Sequence, residues 1–298
     1  MGKRALLLVN RRARHGSSDL QPAIARLERA GFDLMVAQVD RSKSFTQFIA
    51  EHRQHIDAIF VGGGDGTLNL TAEAVVEANL PLGILPLGTA NDLCRTLQIP
   101  TDLLAACDVI GAGHTRRIDL GWVNGKHFFN VANIGLGVRV TRRLNRRRKS
   151  RWGVFAYFLA AAHVLIRTRP MKVEIRADGE TWRTKSVQIT VGNGRYYGGG
   201  MSVDQEAKID DALLNFYSLE IDNWWQIIPL LPGMWRGTLG DSPSVRLLTG
   251  SEFHIRSAGR SHHITTDGEI TGRTPAHFRI VPAALSVFAP PADSMDTF

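Results

Sequence analysis

Four short apolar runs alternate with four helix-spaced segments across roughly the first hundred residues, and chains of this pattern have few folds open to them. Ala5 to Val9 is apolar without a break, as expected of a strand covered on both faces. Within Leu20 to Ala30, Ile24, Leu27 and Ala30 recur at helical spacing. Strands are then expected at Phe32 to Val39, Ile56 to Val61 and Leu82 to Leu87, with helices at Phe45 to His52, Leu68 to Ala78 and Ala90 to Leu97. Such alternation predicts a parallel sheet flanked by helices. Beyond about Thr115 the texture changes to short alternating runs bounded by turns: Arg117 to Val123, His127 to Ala132, Lys172 to Ala177, Ser186 to Gly192 and Leu213 to Leu219. A basic and then apolar segment, Arg142 to Ile166, interrupts them with a helical pattern, and a last strand-like run, Leu285 to Phe288, lies between Pro282 and Pro290.

A chain of 298 residues favours two lobes, and its 44% apolar content supplies a core for each. The net charge of +8 favours a polyanionic partner: a phosphorylated substrate, an anionic membrane surface or nucleic acid. Cys94 and Cys107 form no Cys-x-x-Cys pair and read as reduced core residues. The longest apolar run, Val154 to Ile166, falls short of the ~20 residues of a spanning helix. A cytoplasmic protein is expected, touching a membrane without crossing it.

The chemistry concentrates at strand ends. Val61-Gly62-Gly63-Gly64-Asp65-Gly66-Thr67-Leu68-Asn69-Leu70 follows an apolar strand, where a following helix presents free backbone N–H groups to an anion. Glycines there let the backbone approach a ligand. No lysine completes a Walker loop, and the glycine spacing is not the dinucleotide fingerprint. Asp65 inside the glycine run makes sense if Mg²⁺ lies between it and phosphates. A second turn, Pro86-Leu87-Gly88-Thr89-Ala90-Asn91-Asp92, offers similar groups at the next strand end. Alone it also reads as a tight turn capped by Thr89 or Asn91.

The two turns together resemble the catalytic domain of the diacylglycerol kinase family, particularly its bacterial lipid kinases without membrane spans. The resemblance implies an α/β N-terminal lobe with a Rossmann-like parallel sheet (1–118), a β-sandwich-like C-terminal lobe (119–281), and a last segment (282–298) returning to the first. The active site would lie in the cleft between lobes. ATP would be held by Asn10, Gly63, Gly64, Asp65, Gly66, Thr67, Leu68, Asn69 and Thr89, with Arg11 and Asp40 departing from the usual residues. Asn130 to Gly137, Gly192 to Gly194 and Tyr197 to Met201 are similar to further family segments. Lys208-Ile209-Asp210-Asp211-Ala212-Leu213-Leu214 is similar to its Asp-Asp-Gly-Leu-Leu signature, with Ala212 for glycine. The likeness implies a structural Mg²⁺ on Asp211 and the carbonyls of Lys208 and Leu213.

Thr265-Thr266-Asp267-Gly268-Glu269 alone reads as a surface hairpin. The resemblance makes Glu269 a general base for an alcohol and Asp65 its catalytic partner at the nucleotide and metal, with Asp267 assisting the metal. It implies transfer of the ATP γ-phosphoryl group to a diacylglycerol-like, phosphatidylglycerol-like or sphingoid lipid, within phospholipid metabolism. The run Arg142 to Arg151 followed by Trp152 to Leu159 suits peripheral contact with the inner face of an anionic membrane. Nucleic acid is not expected as a partner, and a homo-oligomer is compatible with the sequence. The alternatives are a kinase of a soluble acceptor, as in NAD kinases, against which Asn91-Asp92 stands in place of Asn-Glu, and a non-catalytic nucleotide-dependent or nucleic-acid-binding regulator.

Overall fold

The computed structural model describes residues 2–10, 20–39, 45–136, 169–194, 196–197, 201–202, 208–221, 223, 226 and 242–291. The basic segment Arg142 to Arg151, the aromatic run after it, Asp40 and the tryptophans at 224, 225 and 235 lie outside these residues.

The first lobe comprises β1 (Lys3–Asn10), α1 (Gln21–Arg29), β2 (Phe32–Val39), α2 (Phe45–His52), β3 (Ala58–Gly63), α3 (Asp65–Ala78), β4 (Leu82–Pro86), α4 (Asp92–Thr96) and α5 (Leu103–Gly111). Strands β2, β1, β3 and β4 pair in that order, all parallel. Helices cover both faces, which explains the unbroken apolar strands. Leu6 and Leu8 of β1 join a core with α2 and α3, while Ala5, Leu7 and Val9 join one with α1 and α5. Every one of these five side chains has no exposed surface.

The first lobe departs from expectation most at two helices. Helix α3 starts at Asp65 rather than Leu68, because Gly64 takes the extended N-cap conformation inside the glycine run. Helix α5 is not predicted from the spacing; Asp102 caps it, accepting from the Leu104 and Ala105 amides.

The second lobe follows as β5 (Thr115–Val123), β6 (Lys126–Phe128), β7 (Val131–Gly135), β8 (Met171–Ala177), β9 (Glu180–Ser186), β10 (Gln188–Gly192), β11 (Tyr196–Tyr197), β12 (Met201–Ser202), β13 (Leu214–Leu219), β14 (Val245–Gly250), β15 (Glu252–Ser257), β16 (His263–Thr266), β17 (Glu269–Arg273) and β18 (Ala276–Phe288). The single strand expected over His127 to Ala132 is two. β6 pairs with β5 in one sheet, and β7 pairs with β10 and β16 in the other. The chain crosses the sandwich at Phe129 and Asn130. One sheet contributes Val173, Ile175, Phe253, Ile255 and Phe278 to the core, the other Ile134, Ile189, Val191, Phe216 and Ile264. On the first sheet the alternate residues are less buried, the period-two pattern of a sandwich, whereas on the second Gln188, Thr190 and Thr265 are buried as well.

Strand β18 joins the lobes. Phe278 to Val281 pair with β5 beside β15, the register then shifts, and Leu285 to Phe288 continue along β5. Val287 pairs in parallel with Leu82 of β4. The parallel sheet therefore runs without a break into one face of the sandwich, order β2-β1-β3-β4-β18-β15-β8-β9. At the bend, the Ala283 amide donates to Asp119 Oδ1 at 2.7 Å, and the Arg117 guanidinium donates to the Ala283 carbonyl.

Candidate active site

In the order β2-β1-β3-β4, the chain reverses direction of winding between β1 and β3, and the crevice beyond their carboxyl ends is where open α/β sheets bind ligands. Asn10 ends β1, and the glycine loop follows β3. Asn10 Nδ2 donates to Thr67 Oγ1 at 2.8 Å, bracing the crevice from one side. Thr67 is 5% exposed and lies over Gly63, where a Cβ would stand 2.5 Å from its side chain.

The two glycine turns touch. A Cβ on Gly64 would stand 2.9 Å from the Gly88 Cα, and one on Gly88 would stand 2.5 Å from the Gly64 Cα and from Asn91 Oδ1. Both positions exclude any side chain. Asn91, at φ 50°, clasps its own turn: the Gly88 amide donates to Asn91 Oδ1 at 3.1 Å, and Asn91 Nδ2 donates back to the Gly88 carbonyl. Asp65 Oδ1 accepts from the Leu93 amide at 3.3 Å, so one oxygen of this acid joins the first turn to the start of α4. Next to it, burial raises the Cys94 thiol to about 12, with Asp65 adding to the shift; Cys107 rises to about 11 for the same first cause. Neither thiol ionises at neutral pH.

Leu68, expected at the nucleotide, has its side chain 2% exposed in the core, and its amide donates to the Gly64 carbonyl. It anchors α3. Thr89 is exposed at the rim of the second turn. The first amides of α3, at Asp65 and Gly66, have no intrahelical acceptor and no side-chain cap.

From the second lobe, the β16–β17 hairpin reaches this helix end. Asp267 and Gly268 form its two-residue turn with φ 46° and 89°, both left-handed. The Asp267 carboxylate accepts from the amides of Phe129, Asn130 and Val131 at 2.9 to 3.0 Å and from Asn69 Nδ2 at 3.1 Å. Burial pushes this carboxyl up, against four donors that favour its ionised form. Asn69, expected at the nucleotide, thus ties α3 to the hairpin. Asp267 is spent on the same tie. Glu269, the next acid, is exposed, and its Oε1 lies 3.7 Å from where a Gly66 Cβ would be. The hairpin therefore aims a carboxylate at the amide-rich end of α3. A second strap joins α3 to the sandwich lobe: Glu73 accepts from the His127 amide at 2.6 Å and meets its Nδ1 at 2.8 Å.

The Asp-Asp loop lies apart, under the bend of β18. Asp211 Oδ1 accepts from the Leu213 amide at 3.0 Å, and Asp210 pairs with Arg116 at 2.7 Å. Ala212 takes φ 59°, the left-handed conformation that favours glycine, and its amide donates to Asp119 Oδ2 at 2.6 Å. Burial pushes the Asp211 carboxyl up, and Asp119 adds to the shift against the amides of Leu213 and Lys208. Two carboxylates close enough to repel each other are a hard-oxygen set, so the residues fit Mg²⁺. Asp119 was not among the expected residues. Its signal was an acid inside the strand Ile118-Asp119-Leu120, where a charge needs a fixed partner. Asn193, fully buried, donates from Nδ2 to the carbonyls of Asp119 and Phe129 and holds the same junction.

Among the described residues no helix is long and apolar enough to cross a membrane. Residues 4–123 match the diacylglycerol kinase catalytic domain, and residues 130–289 match the YegS C-terminal NAD kinase beta sandwich-like domain. The chain is 29% identical to a diacylglycerol kinase of Staphylococcus aureus strain bovine RF122 over 97% of its length and 93% of the relative. It is 30% identical to the diacylglycerol kinase of Staphylococcus aureus strain JH9, covering 91% of this chain and 87% of that one. A crystal structure of a putative diacylglycerol kinase from Bacillus anthracis superposes with a TM-score of 0.84 at 27% identity, over 98% of this chain and 96% of that one. With two strand-end glycine turns packed on each other and a facing carboxylate hairpin, the chain belongs to the diacylglycerol kinase family, whose members are kinases acting on an alcohol group.

Proposed function

We propose that this kinase transfers the γ-phosphoryl group of ATP to a hydroxyl of a diacylglycerol-like, phosphatidylglycerol-like or sphingoid lipid. The observation that carries the reading is the placement of Glu269 against Gly66, which brings a carboxylate from one lobe to the glycine loop of the other. An alcohol attacks poorly until its proton can leave, and a positioned base contributes ~10²–10⁴-fold. Glu269 takes that proton as the acceptor oxygen bonds to the γ-phosphorus and the bond to the ADP oxygen breaks. The amides of Asp65 and Gly66 receive phosphate oxygens, and Asn10 and Thr67 hold the crevice open beneath them.

Mg²⁺ would neutralise phosphate charge near the free oxygen of Asp65, and a second ion would stabilise the Asp211 loop through the carbonyls of Lys208 and Leu213. Asn69 and Asp267 fix the hairpin so that Glu269 keeps its aim. Leu70, one turn beyond Gly66 on α3, is 59% exposed and offers apolar surface beside the carboxylate, which suits an acyl chain better than a soluble acceptor. The basic run of 142–151 is proposed to hold the protein against an anionic membrane.

The test is transfer of labelled phosphate from ATP with Mg²⁺ into a panel of dispersed lipids, with NAD as the soluble control. Wild type should label a lipid and Glu269→Gln should do so ~10²–10⁴-fold more slowly. Label in NAD alone would reject the lipid reading, and a fully active Glu269→Gln would reject the base.

A further inference from the structure

We propose that Glu252, His254 and His277 form a surface site for a divalent transition-metal ion of the zinc type. Antiparallel β15 and β18 set His254 opposite His277, Phe253 opposite Phe278 and Glu252 opposite Arg279. Phe253 and Phe278 are fully buried in the sandwich core, so the period of two turns Glu252, His254 and His277 to the outer face. There the two imidazoles stack, with centroids 4.2 Å apart and planes 9° from parallel. Both Nε2 atoms converge on one oxygen: Glu252 Oε1 lies 2.8 Å from His254 and 2.6 Å from His277. The three ligand atoms lie within 4.8 Å of one another.

Metal bonds of about 2.0–2.2 Å to nitrogen and carboxylate oxygen need ligand atoms gathered on this scale. Moving each ring proton to Nδ1 frees both Nε2 lone pairs, and one cation then replaces two hydrogen bonds. The Glu252 carboxylate, already the shared acceptor of both rings, supplies the anionic ligand. Neighbouring cations are engaged elsewhere. Arg279 lies over the Trp122 ring at 4.6 Å, and Arg176, opposite His254 on β8, donates to Glu174 at 2.8 Å. Two imidazoles and one carboxylate suit zinc and its first-row neighbours, whereas Mg²⁺ prefers all-oxygen shells. Glu269 stands on the other sheet, so the site is independent of the phosphoryl-transfer reading. An ion here would clip β15 to β18.

The experiment uses full-length, tag-free protein titrated calorimetrically with Zn²⁺, with Co²⁺ absorption as a reporter of coordination and Mg²⁺ as the contrasting ion. Wild type should bind one equivalent of Zn²⁺ more than the His254→Ala/His277→Ala double variant. Glu252→Gln, which keeps size and hydrogen bonding, should weaken that equivalent by more than the ~10–100-fold that loss of an outer-shell partner costs. Zn²⁺ should raise the unfolding midpoint of wild type and not that of the double variant. All variants should match wild type in chelator, since the three side chains are 39 to 51% exposed. Equal Zn²⁺ stoichiometry and affinity in wild type and the double variant, no binding by wild type, or displacement of Zn²⁺ by equimolar Mg²⁺ would each overturn the proposal.

Discussion

The turn at Asp267 and the turn at Asp211 use the same ingredients to different ends. Each contains a non-glycine residue in the left-handed region, Asp267 at φ 46° and Ala212 at φ 59°. Each carries an acid that burial pushes toward its neutral form. Asp267, however, is met by three backbone amides and the Asn69 side chain, so its charge is fully answered by the protein. Asp211 has Asp119 for a neighbour. The first turn is complete in itself and can hold the next acid, Glu269, steady; at the second, the amides of Leu213 and Lys208 answer Asp211 against Asp119, and the proposed cation would complete it.

That contrast can be broken or sharpened by substitution. The largest effect is expected at Glu269, where Gln should lower phosphoryl transfer by ~10²–10⁴-fold. Its unfolding midpoint should not move, because the side chain is exposed; steady-state transfer and thermal melts on the same preparation check both halves. Asp267→Ala should behave in the opposite sense. It leaves four donors without their acceptor, each worth ~1–3 kcal/mol if it finds no water, so denaturant titration should show a loss of roughly 3 kcal/mol or more. A loss under ~1 kcal/mol would mean that the hairpin is held by its strand pairing alone.

At the other turn, Asp211→Asn should leave metal-free stability unchanged or slightly raised, since it removes a charge that Asp119 repels. Mg²⁺ should then stabilise wild type and not the variant, and equal responses to Mg²⁺ would place the ion elsewhere. The smallest change is Ala212→Gly. Relief of the left-handed strain should add up to ~1 kcal/mol in urea titration, partly offset by the flexibility glycine gives the unfolded chain.

The parts of this molecule that depend on local period were legible. Ala5 to Val9 announced a strand buried on both faces, and Gly63-Gly64-Asp65-Gly66-Thr67 announced a strand end that approaches a ligand. Contacts between distant segments were not. Nothing in Gly64 or Gly88 alone says that their backbones touch. Asn69 looked like part of a nucleotide loop, and only the folded chain shows it donating to an acid 198 positions away. Leu68 could not be separated from its glycine neighbours by spacing, although its apolar side chain belonged to the core. At the far end, Pro282 and Ala283 broke the apolar pattern, so a thirteen-residue strand read as the short run Leu285 to Phe288. Its bend is stabilised from outside by Asp119 and Arg117, and a local pattern carries no trace of that.

Strand β18 also sets a timetable. A ribosome releases the chain from its first residue onward, yet the strand that pairs with Leu82 in β4 contains Val287. For the interval in which some two hundred residues are made, β4 waits with one row of amides and carbonyls open, the kind of edge that recruits strands from other molecules. Closing it is a late, long-range event, slow by the rule that links folding rate to the separation of contacting residues. A nascent chain stopped before residue 285 should therefore be more prone to aggregate than its intact α/β sequence would suggest.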